Sequence, residues 1–181
     1  MDSLNQLADL PLLRGVDLRD RVAIVTGGGA GIGKATAHVL AEAGCNVVIG
    51  EINADTAQRT VDELKEKGHE AIAVSMDVAL RSEAERLAQA ALQHFGTIDI
   101  LANIAGVYPA ALVSEMDEEE WERVFAVNAK GTFNCCQAVL PTMQKEEYGK
   151  IVNIASVDGM QPGIMPGRSG YGNSHYCSSK G

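Results

Sequence analysis

Short runs rich in valine and isoleucine alternate with longer segments of helical period from Arg21 onward. Parallel strands joined by helices produce this order, because each crossover helix returns the chain to the same end of the sheet. The runs that predict strands are residues 22–26, 46–50, 71–77, 98–103 and 150–156. The pattern therefore predicts an α/β fold with a doubly wound parallel sheet.

Two of the intervening segments carry apolar residues at steps of three and four, which predicts helices with one buried face. In each segment a glycine follows the last apolar position, Gly44 and Gly96, and glycine is a common helix stop. The expected buried positions are Ile32, Ala35, Thr36, Val39, Leu40 and Ala43 in the first helix, and Ala84, Leu87, Ala88, Ala91, Leu92 and Phe95 in the second.

A third helix is predicted to begin at Asp117, because Glu120 follows three residues later as in a helix-capping arrangement. We expect one long helix with a bend near Pro141. Its expected buried stripe comprises Trp121, Phe125, Thr132, Cys136, Val139 and Met143. Asn128 interrupts this stripe, and a polar side chain on a buried face needs a hydrogen-bond partner.

Two segments are expected to be loosely ordered. Residues 1–20 have neither the basic start nor the continuous apolar run of a signal peptide, so a flexible extension is predicted, with a docking or oligomer arm as the alternative. Residues 157–175 contain five glycines and two prolines, which predicts a mobile loop. The domain proper is expected to span residues 21–181.

Composition and charge narrow the classes of function that the chain could have. The 181 residues are 46% hydrophobic but only 4% aromatic, which suits one domain with an aliphatic core. The formal net charge of -9 disfavours nucleic acid and anionic membrane partners. Four cysteines without Cys-x-x-Cys spacing indicate reduced thiols and a cytoplasmic location, and the scattered histidines predict no metal site.

A glycine-rich turn joins the first predicted strand to the first helix. Gly27, Gly31 and Gly33 would leave backbone N–H groups at a helix N-terminus free to bind a pyrophosphate, although glycine also serves tight turns for steric reasons alone. Glu51 ends the second strand, where a carboxylate can bind a ribose diol and would repel a 2′-phosphate. The combination predicts NAD rather than NADP as the cofactor.

Several polar residues are expected at the carboxyl edge of the sheet, where such folds bind ligands. Asp77 and Asn103 end the third and fourth predicted strands, and Ser156 closes the fifth, where its hydroxyl could hold a substrate carbonyl oxygen. Each of these residues could also act only as a loop or helix cap. Asn128 could serve the site or only fix its helix through a buried hydrogen bond.

Tyr176 and Lys180 are four residues apart and would share a helix face. An ammonium beside a phenol lowers the phenol's pKa, which would allow proton exchange near neutral pH. The same spacing is common on solvent-exposed helices, so it supports a functional role only together with the other motifs.

Together the motifs Thr26-Gly27-x-x-x-Gly31-Ile32-Gly33, Asn103-Ile104-Ala105-Gly106, Asn128, Ser156 and Tyr176-x-x-x-Lys180 resemble the short-chain dehydrogenase/reductase family. The resemblance covers residues from about Asp17 to Gly181. It implies a Rossmann-like sheet of order 3-2-1-4-5 and a homo-oligomeric parent enzyme.

The resemblance also implies roles for individual residues. Tyr176 would be the general acid or base, Ser156 would position the carbonyl or alcohol, Lys180 would contact the nicotinamide ribose, and Asn128 would maintain a proton relay. The cofactor would contact Gly27, Gly29, Ala30, Gly31, Ile32, Gly33, Glu51, Asp77, Val78, Asn103, Gly106, Tyr176 and Lys180.

Three departures from the family pattern stand out. Ile104 replaces a second asparagine, and Ser156 and Tyr176 are twenty residues apart, which is more than usual. Family members also continue with further strands and helices beyond the Tyr-x-x-x-Lys motif, so the resemblance implies a C-terminally truncated chain. The strand that ends at Ser156 would then form an apolar edge.

The leading hypothesis is an NAD-dependent oxidoreductase that interconverts a secondary alcohol and a ketone, a 3-oxoacyl thioester or a small cyclic alcohol being the candidate substrates. The alternative is a fragment of such an enzyme that binds a dinucleotide without catalysis. A methyltransferase would also place a glycine loop after the first strand, but Thr26 before Gly27 and the Tyr176 and Lys180 pair argue against it.

Overall fold

The computed structural model describes residues 16–160 and 173–181, and five parallel strands form its sheet in the order β3-β2-β1-β4-β5. The strands are β1 (Val22–Thr26), β2 (Asn46–Glu51), β3 (Ala71–Ser75), β4 (Ile100–Asn103) and β5 (Lys150–Asn153). The helices are α1 (Gly31–Glu42), α2 (Ala54–Glu66), α3 (Arg81–Phe95), α4 (Glu118–Phe125), α5 (Gly131–Lys145) and α6 (Ser174–Lys180). The predicted Rossmann-like fold and strand order are confirmed.

Two strands end earlier than the apolar runs predicted. β3 ends at Ser75 and β5 at Asn153, although the Met76 and Ile154 amides each donate one further bond to the neighbouring strand. Beyond those bonds the chain leaves the sheet to form loops at its carboxyl edge. Asp77 and Ser156 therefore lie in these loops rather than at strand ends.

Helix α1 buries a different face from the predicted one. Its buried residues are Gly33, Ala37, His38 and Ala41, whereas Ile32 is 66% exposed. Small residues at a spacing of four allow the helix backbone to approach the sheet closely, and apolar periodicity alone did not distinguish this face. In α3 the predicted positions Ala84, Leu87, Ala88 and Ala91 are buried, Leu92 and Phe95 pack at the edge of the core, and Gly96 ends the helix in a left-handed conformation.

The predicted long third helix is divided in two. The Asp117 carboxylate accepts the Glu120 N–H at 2.7 Å, as predicted for the cap. A π-helical turn at Ala126–Lys130 then separates α4 from α5, while Pro141 lies within the continuous helix α5. The extra residue of a π turn rotates the helix face. Trp121 is 37% exposed, and Thr132 and Cys136 are half-buried rather than buried.

The two segments expected to be loosely ordered are described only in part. Residues 16–20 precede β1, and the Leu18 N–H donates to the Ala43 carbonyl at 2.8 Å. Val157–Gly159 forms a 3-10 turn, and His175 lies in α6, fully buried, rather than in the predicted loop. Residues 1–15 and 161–172, on which the rest of both predictions falls, lie outside the described part of the chain.

Apolar residues pack on both faces of the sheet, as in a doubly wound fold. One cluster joins the sheet to α3 and α5, and Ile24, Leu87 and Leu101 are at its centre. The other joins the sheet to α1 and α2 around Val25 and Ile49. These two layers fix the carboxyl ends of β1, β2 and β4 relative to the helices that follow them. Within the described ranges, no helix combines the length and apolar character needed to cross a membrane.

Candidate active site

A pocket of about 430 Å³ opens at the carboxyl edge of the sheet, between the ends of β1, β2 and β4. The strand order reverses on either side of β1, and ligands of doubly wound folds bind at such a reversal. Its lining residues are Gly27, Ala30, Gly31, Ile32, Gly33, Gly50, Glu51, Ile52, Met76, Asp77, Val78, Ile104, Ala105, Gly106, Val107 and Val127.

The glycine loop forms one wall of this pocket. Gly27 has a φ of +68°, and a Cβ there would come within 2.9 Å of the Ala105 backbone. A Cβ on Gly33 would overlap the Gly27 carbonyl oxygen. At Ala30, the N-cap of α1, no side chain of the described residues caps the helix, and its first turn has no acid. The free N–H groups and the helix dipole at this position suit an anionic group such as a pyrophosphate.

The Glu51 carboxylate lies beside the glycine loop at the end of β2. One carboxylate oxygen accepts the Gly29 N–H at 3.2 Å, and the other accepts the Asn53 N–H at 3.2 Å. The negative charge is thereby fixed on the pocket wall. Gly29 itself does not line the pocket but helps to orient the carboxylate.

The opposite wall consists of the loop after β3, which carries Asp77 and Val78. Three hydrogen bonds hold this loop. The Asp77 N–H donates to the Glu83 carboxylate at 2.6 Å, and the Asp77 carboxylate accepts the Ala79 N–H at 2.9 Å. The buried Asn134 side chain of α5 donates to the Val78 carbonyl at 2.9 Å. Helix α5 therefore supports the pocket wall, a role for Asn134 that the sequence pattern did not indicate.

Two polar side chains fix the floor of the pocket at β4. The Thr26 hydroxyl accepts the N–H groups of Ile104 and Ala105 at 3.1 and 3.2 Å. The Asn103 side-chain amide donates to Oδ1 of the Asn153 side chain at 2.9 Å, which links β4 to β5. Asn103 is buried and does not line the pocket, so its geometry is that of a support for the loop above it.

Asn128 lies in the π-helical turn and is 4% exposed. Its Oδ1 accepts the Val107 N–H at 2.9 Å, and its Nδ2 donates to the Val107 carbonyl at 3.0 Å and to the Ser179 hydroxyl at 3.0 Å. Both amide hydrogens are used. The asparagine thus connects the loop after β4 with helix α6, which carries Tyr176 and Lys180.

Lys180 and Tyr176 lie at the end of the pocket where Gly106 is found. A Cβ on Gly106 would be 3.3 Å from Asn128 Oδ1 and 3.9 Å from Lys180 Nζ. The ammonium donates to the Ile154 carbonyl at 2.7 Å, and burial lowers the pKa of Lys180 from its ordinary value. The Tyr176 ring packs edge to face against the ring of Tyr108, with centroids 4.3 Å apart.

Ser156 precedes the 3-10 turn. Its hydroxyl oxygen accepts the Asp158 N–H at 3.2 Å, as a helix cap does. The hydroxyl proton has no part in this bond.

The predicted site residues fall into three groups in the structure. The residues that line the pocket are Gly27, Ala30, Gly31, Ile32, Gly33, Glu51, Asp77, Val78 and Gly106. Gly29, Asn103 and Asn128 support its walls without lining it. Lys180 Nζ lies near Gly106, Tyr176 lies on the same helix as Lys180, and Ser156 caps the turn after β5. The predicted cofactor contacts did not include seven further lining residues: Gly50, Ile52, Met76, Ile104, Ala105, Val107 and Val127. Ile52, Met76 and Ile104 directly follow strands, which was a usable signal, whereas Val127 lies in the π-helical turn.

The thiols offer no alternative nucleophile in the core. Burial raises the pKa of Cys45 to about 11 and that of Cys135 to about 12. Both groups therefore remain protonated at neutral pH, whereas a thiolate is needed for nucleophilic attack. Across the described residues, no three His, Cys, Asp or Glu side chains cluster as metal ligands.

These features define the class of the protein. The family model of the short chain dehydrogenases matches residues 21–181. The chain belongs to this family of oxidoreductases, whose members use nicotinamide dinucleotide cofactors.

Two curated relatives show the range of proteins that the chain resembles. It is 40% identical over 139 residues to a hydroxy(phenyl)methylsuccinyl-CoA dehydrogenase subunit, BbsD, from Thauera aromatica, covering 77% of this chain and 56% of the relative. It is 37% identical over 153 residues to a 3-oxoacyl-acyl-carrier-protein reductase, FabG, from Staphylococcus epidermidis. This match covers 84% of this chain and 62% of the relative. The chain thus spans about three fifths of the length of these relatives.

A solved structure agrees with this placement. A 7α-hydroxysteroid dehydrogenase in complex with NADH and 7-oxo glycochenodeoxycholic acid superimposes with a TM-score of 0.83 and 34% identity. The superposition covers 91% of this chain and 62% of that one.

Proposed function

We propose that the protein is an NAD-dependent oxidoreductase that interconverts a secondary alcohol and a ketone, with Tyr176 as the proton donor and acceptor. The observation that carries this proposal is the position of Gly106, which lines the pocket and lies beside both the Asn128 amide and the Lys180 ammonium. A cofactor in this pocket would therefore extend toward the helix that carries Tyr176.

The residues present fit a dinucleotide. Side chains at Gly27 and Gly33 would collide with the Ala105 backbone and the Gly27 carbonyl, so glycine at these positions permits the tight turn into α1. The backbone N–H groups at the start of α1 could then meet two phosphates. When bound, the nicotinamide ring supplies the hydride acceptor or donor. The apolar surfaces of Ile104, Val107 and Val127 would exclude water from that end of the pocket.

Glu51 favours NAD over NADP. A carboxylate held by the Gly29 and Asn53 N–H groups can accept hydrogen bonds from both hydroxyls of a ribose. The same fixed negative charge would repel a 2′-phosphate. Gly29 has no side chain, and a Cβ there would lie 2.8 Å from Glu51 Cγ, so the carboxylate has a defined position.

The proton would pass through Tyr176. In alcohol oxidation the phenolate oxygen accepts the substrate hydroxyl proton, and in ketone reduction the phenol returns it. Lys180 would stabilise the phenolate by its positive charge and contact the ribose of the cofactor, and the Ser156 hydroxyl would donate to the substrate oxygen. Asn128 holds α6 through Ser179 and so keeps these groups in place.

The proposed substrate class rests on the names of two relatives. The named relatives reduce or oxidise substrates at a carbonyl or hydroxyl carbon, as 3-oxoacyl reductase and hydroxysteroid dehydrogenase state in their names. Acetoacetyl-CoA and cyclohexanol therefore represent the two candidate classes, a 3-oxoacyl thioester and a cyclic alcohol.

The test is the Tyr176→Phe variant, which removes only the hydroxyl. We expect turnover of acetoacetyl-CoA with NADH, or of cyclohexanol with NAD, to fall at least about a hundredfold, because general acid–base catalysis contributes factors of this size. NADH affinity should remain within about threefold of the wild type, since the lost group serves the proton rather than the pocket. Fluorescence titration measures that affinity.

Tyr148→Phe is the matched control, because Tyr148 lies beside Arg21 and Lys150 at the other end of the sheet. Full turnover in Tyr176→Phe would remove the proposed proton donor. Binding of NADH by the wild type without turnover of either substrate would instead support the alternative of a dinucleotide-binding protein without catalysis.

A further inference from the structure

Tyr108 lies in the loop between β4 and α4, two residues after Gly106, and contacts Tyr176 directly. The two rings meet at an interplanar angle of 85°, the edge-to-face geometry that aromatic pairs prefer. Tyr108 is 52% exposed, so the contact is made at the rim of the site rather than in the core. The pair fixes one side of the Tyr176 ring.

The Tyr108 hydroxyl makes two further contacts. It accepts the Asn173 side-chain N–H at 2.8 Å and donates to the Asp158 carboxylate at 3.3 Å. Asn173 is 9% exposed, and its carbonyl accepts the Cys177 N–H at 2.9 Å, the bond that opens α6. Tyr108 therefore holds the start of the helix that carries Tyr176 and joins it to the turn after Ser156.

The backbone next to Tyr108 is itself anchored. Asn128 binds both the N–H and the carbonyl of Val107, and it also binds Ser179 near the other end of α6. Tyr108 thus contacts the residue before the helix, while its neighbour Val107 is joined through Asn128 to Ser179 near the helix end. These contacts restrict the orientation of α6.

We propose that Tyr108 is a positioning residue for Tyr176, acting through its ring on the Tyr176 ring and through its hydroxyl on Asn173 and Asp158. The inference rests on the proposed function of Tyr176 as the proton donor and acceptor. It adds a second tyrosine whose loss would misplace the reacting oxygen without removing it.

Two substitutions separate the two contacts. Tyr108→Phe keeps the ring and removes the hydroxyl, whereas Tyr108→Leu removes both. We expect kcat with acetoacetyl-CoA or cyclohexanol to fall several-fold in Tyr108→Phe and at least about tenfold in Tyr108→Leu, because small displacements of a reacting group have effects of this size or larger. KM and the NADH dissociation constant should stay within about twofold, and Tyr148→Phe should match the wild type.

A second measurement is independent of turnover. In protein labelled with ¹³C at the tyrosine Cζ, the Tyr176 resonance is assigned through Tyr176→Phe and recorded with saturating NADH. We expect it to shift and broaden in Tyr108→Leu, to shift less in Tyr108→Phe, and to remain unchanged in Tyr148→Phe.

The two measurements distinguish the possible failures. An unchanged Tyr176 resonance in both Tyr108 variants would overturn the positioning role, whatever the activity. A loss confined to KM would also overturn it, because that pattern indicates substrate contact instead. Full turnover in Tyr176→Phe would remove the proposed function, while the resonance would still report whether Tyr108 holds the Tyr176 ring.

Discussion

Asn134 shows how a single buried amide can connect the core to the pocket. It is 2% exposed and donates to the Val78 carbonyl, which belongs to the pocket wall. The backbone of Gly131, one turn earlier in α5, packs against the Val78 side chain, and a Cβ there would lie 2.6 Å from it. The position of Val78 therefore depends on α5 as well as on its own loop.

Asn134→Leu should destabilise the protein and weaken cofactor binding together. The Val78 carbonyl would remain buried without its donor, which costs about 1–3 kcal/mol of unfolding free energy. The displaced wall should lower NADH affinity several-fold. Urea denaturation and NADH titration measure the two effects.

Gln144→Leu is the control for this variant, since it makes a similar change at an exposed position of the same helix. If both variants unfold at the same urea concentration and bind NADH equally, Asn134 does not support the wall as inferred.

Among single residues, the sequence predicted those that have distinctive chemistry and belong to short motifs. Glu51, Tyr176 and Lys180 could be identified from the sequence because few residue types carry the charge or the acidic proton that their proposed roles need. Asn134 and Tyr108 could not, because their partners are 56 and 65 residues away along the chain and only the fold brings them together.

The contact between α1 and α2 contains a buried titratable group. His38 is 1% exposed, and its Nε2 lies 3.2 Å from the Glu63 carboxylate, which also pairs with Lys34. Burial lowers the pKa of His38, and although Glu63 acts in the opposite direction, nearby Lys67 and Lys34 add to the lowering. Desolvation of the imidazole outweighs the single carboxylate partner, so His38 is neutral in the folded protein near pH 7.

Stability should therefore decrease in acid. A histidine whose pKa is lower in the folded state binds its proton more readily when unfolded, so its neutral form contributes stability above about pH 6.5 that is lost as the pH falls further. We expect the urea midpoint to drop less between pH 7.5 and pH 5.5 in His38→Gln than in the wild type.

His69→Gln tests whether the effect is specific to burial. His69 also faces a glutamate, Glu42, at 3.5 Å, but its side chain is 21% exposed. The His69→Gln variant is measured in the same way as His38→Gln. An equal change in both variants would contradict the assignment to His38.

Among the helices, prediction succeeded where only one face is apolar, as in α3. It failed in α1, where alanine and glycine occur on several faces and close backbone approach decided which face is buried. It also missed the π turn at Ala126–Lys130, since an extra residue per turn leaves no signal in residue type. That turn presents Asn128 to Val107 and Ser179.

For the whole molecule, the parallel sheet was predictable because strand and helix alternate along the chain. The strand order 3-2-1-4-5 was an implication of the family resemblance, and the structure has this order. Where the strands end was less predictable. The carboxyl-edge loops of β3 and β5 begin two and three residues before the apolar runs finish, and those loops carry Asp77 and Ser156. The site thus depends on loop geometry that hydrophobic periodicity does not encode.

Within the described residues, β5 pairs with β4 alone and forms one edge of the sheet. Val152 is 51% exposed there.

The central claim is that the pocket at the carboxyl edge binds NAD and that Glu51 selects it over NADP. Isothermal titration of the protein with NADH and with NADPH tests this claim most directly, in the wild type and in Glu51→Ala. Glu66→Ala, an exposed acid at the end of α2, is the matched control.

We expect the wild type and Glu66→Ala to bind NADH at least about tenfold more tightly than NADPH, a difference of about 1.4 kcal/mol. In Glu51→Ala that preference should shrink or reverse, because the fixed negative charge beside the ribose is gone. Equal binding of the two cofactors by the wild type, or a preference that survives in Glu51→Ala, would contradict the account.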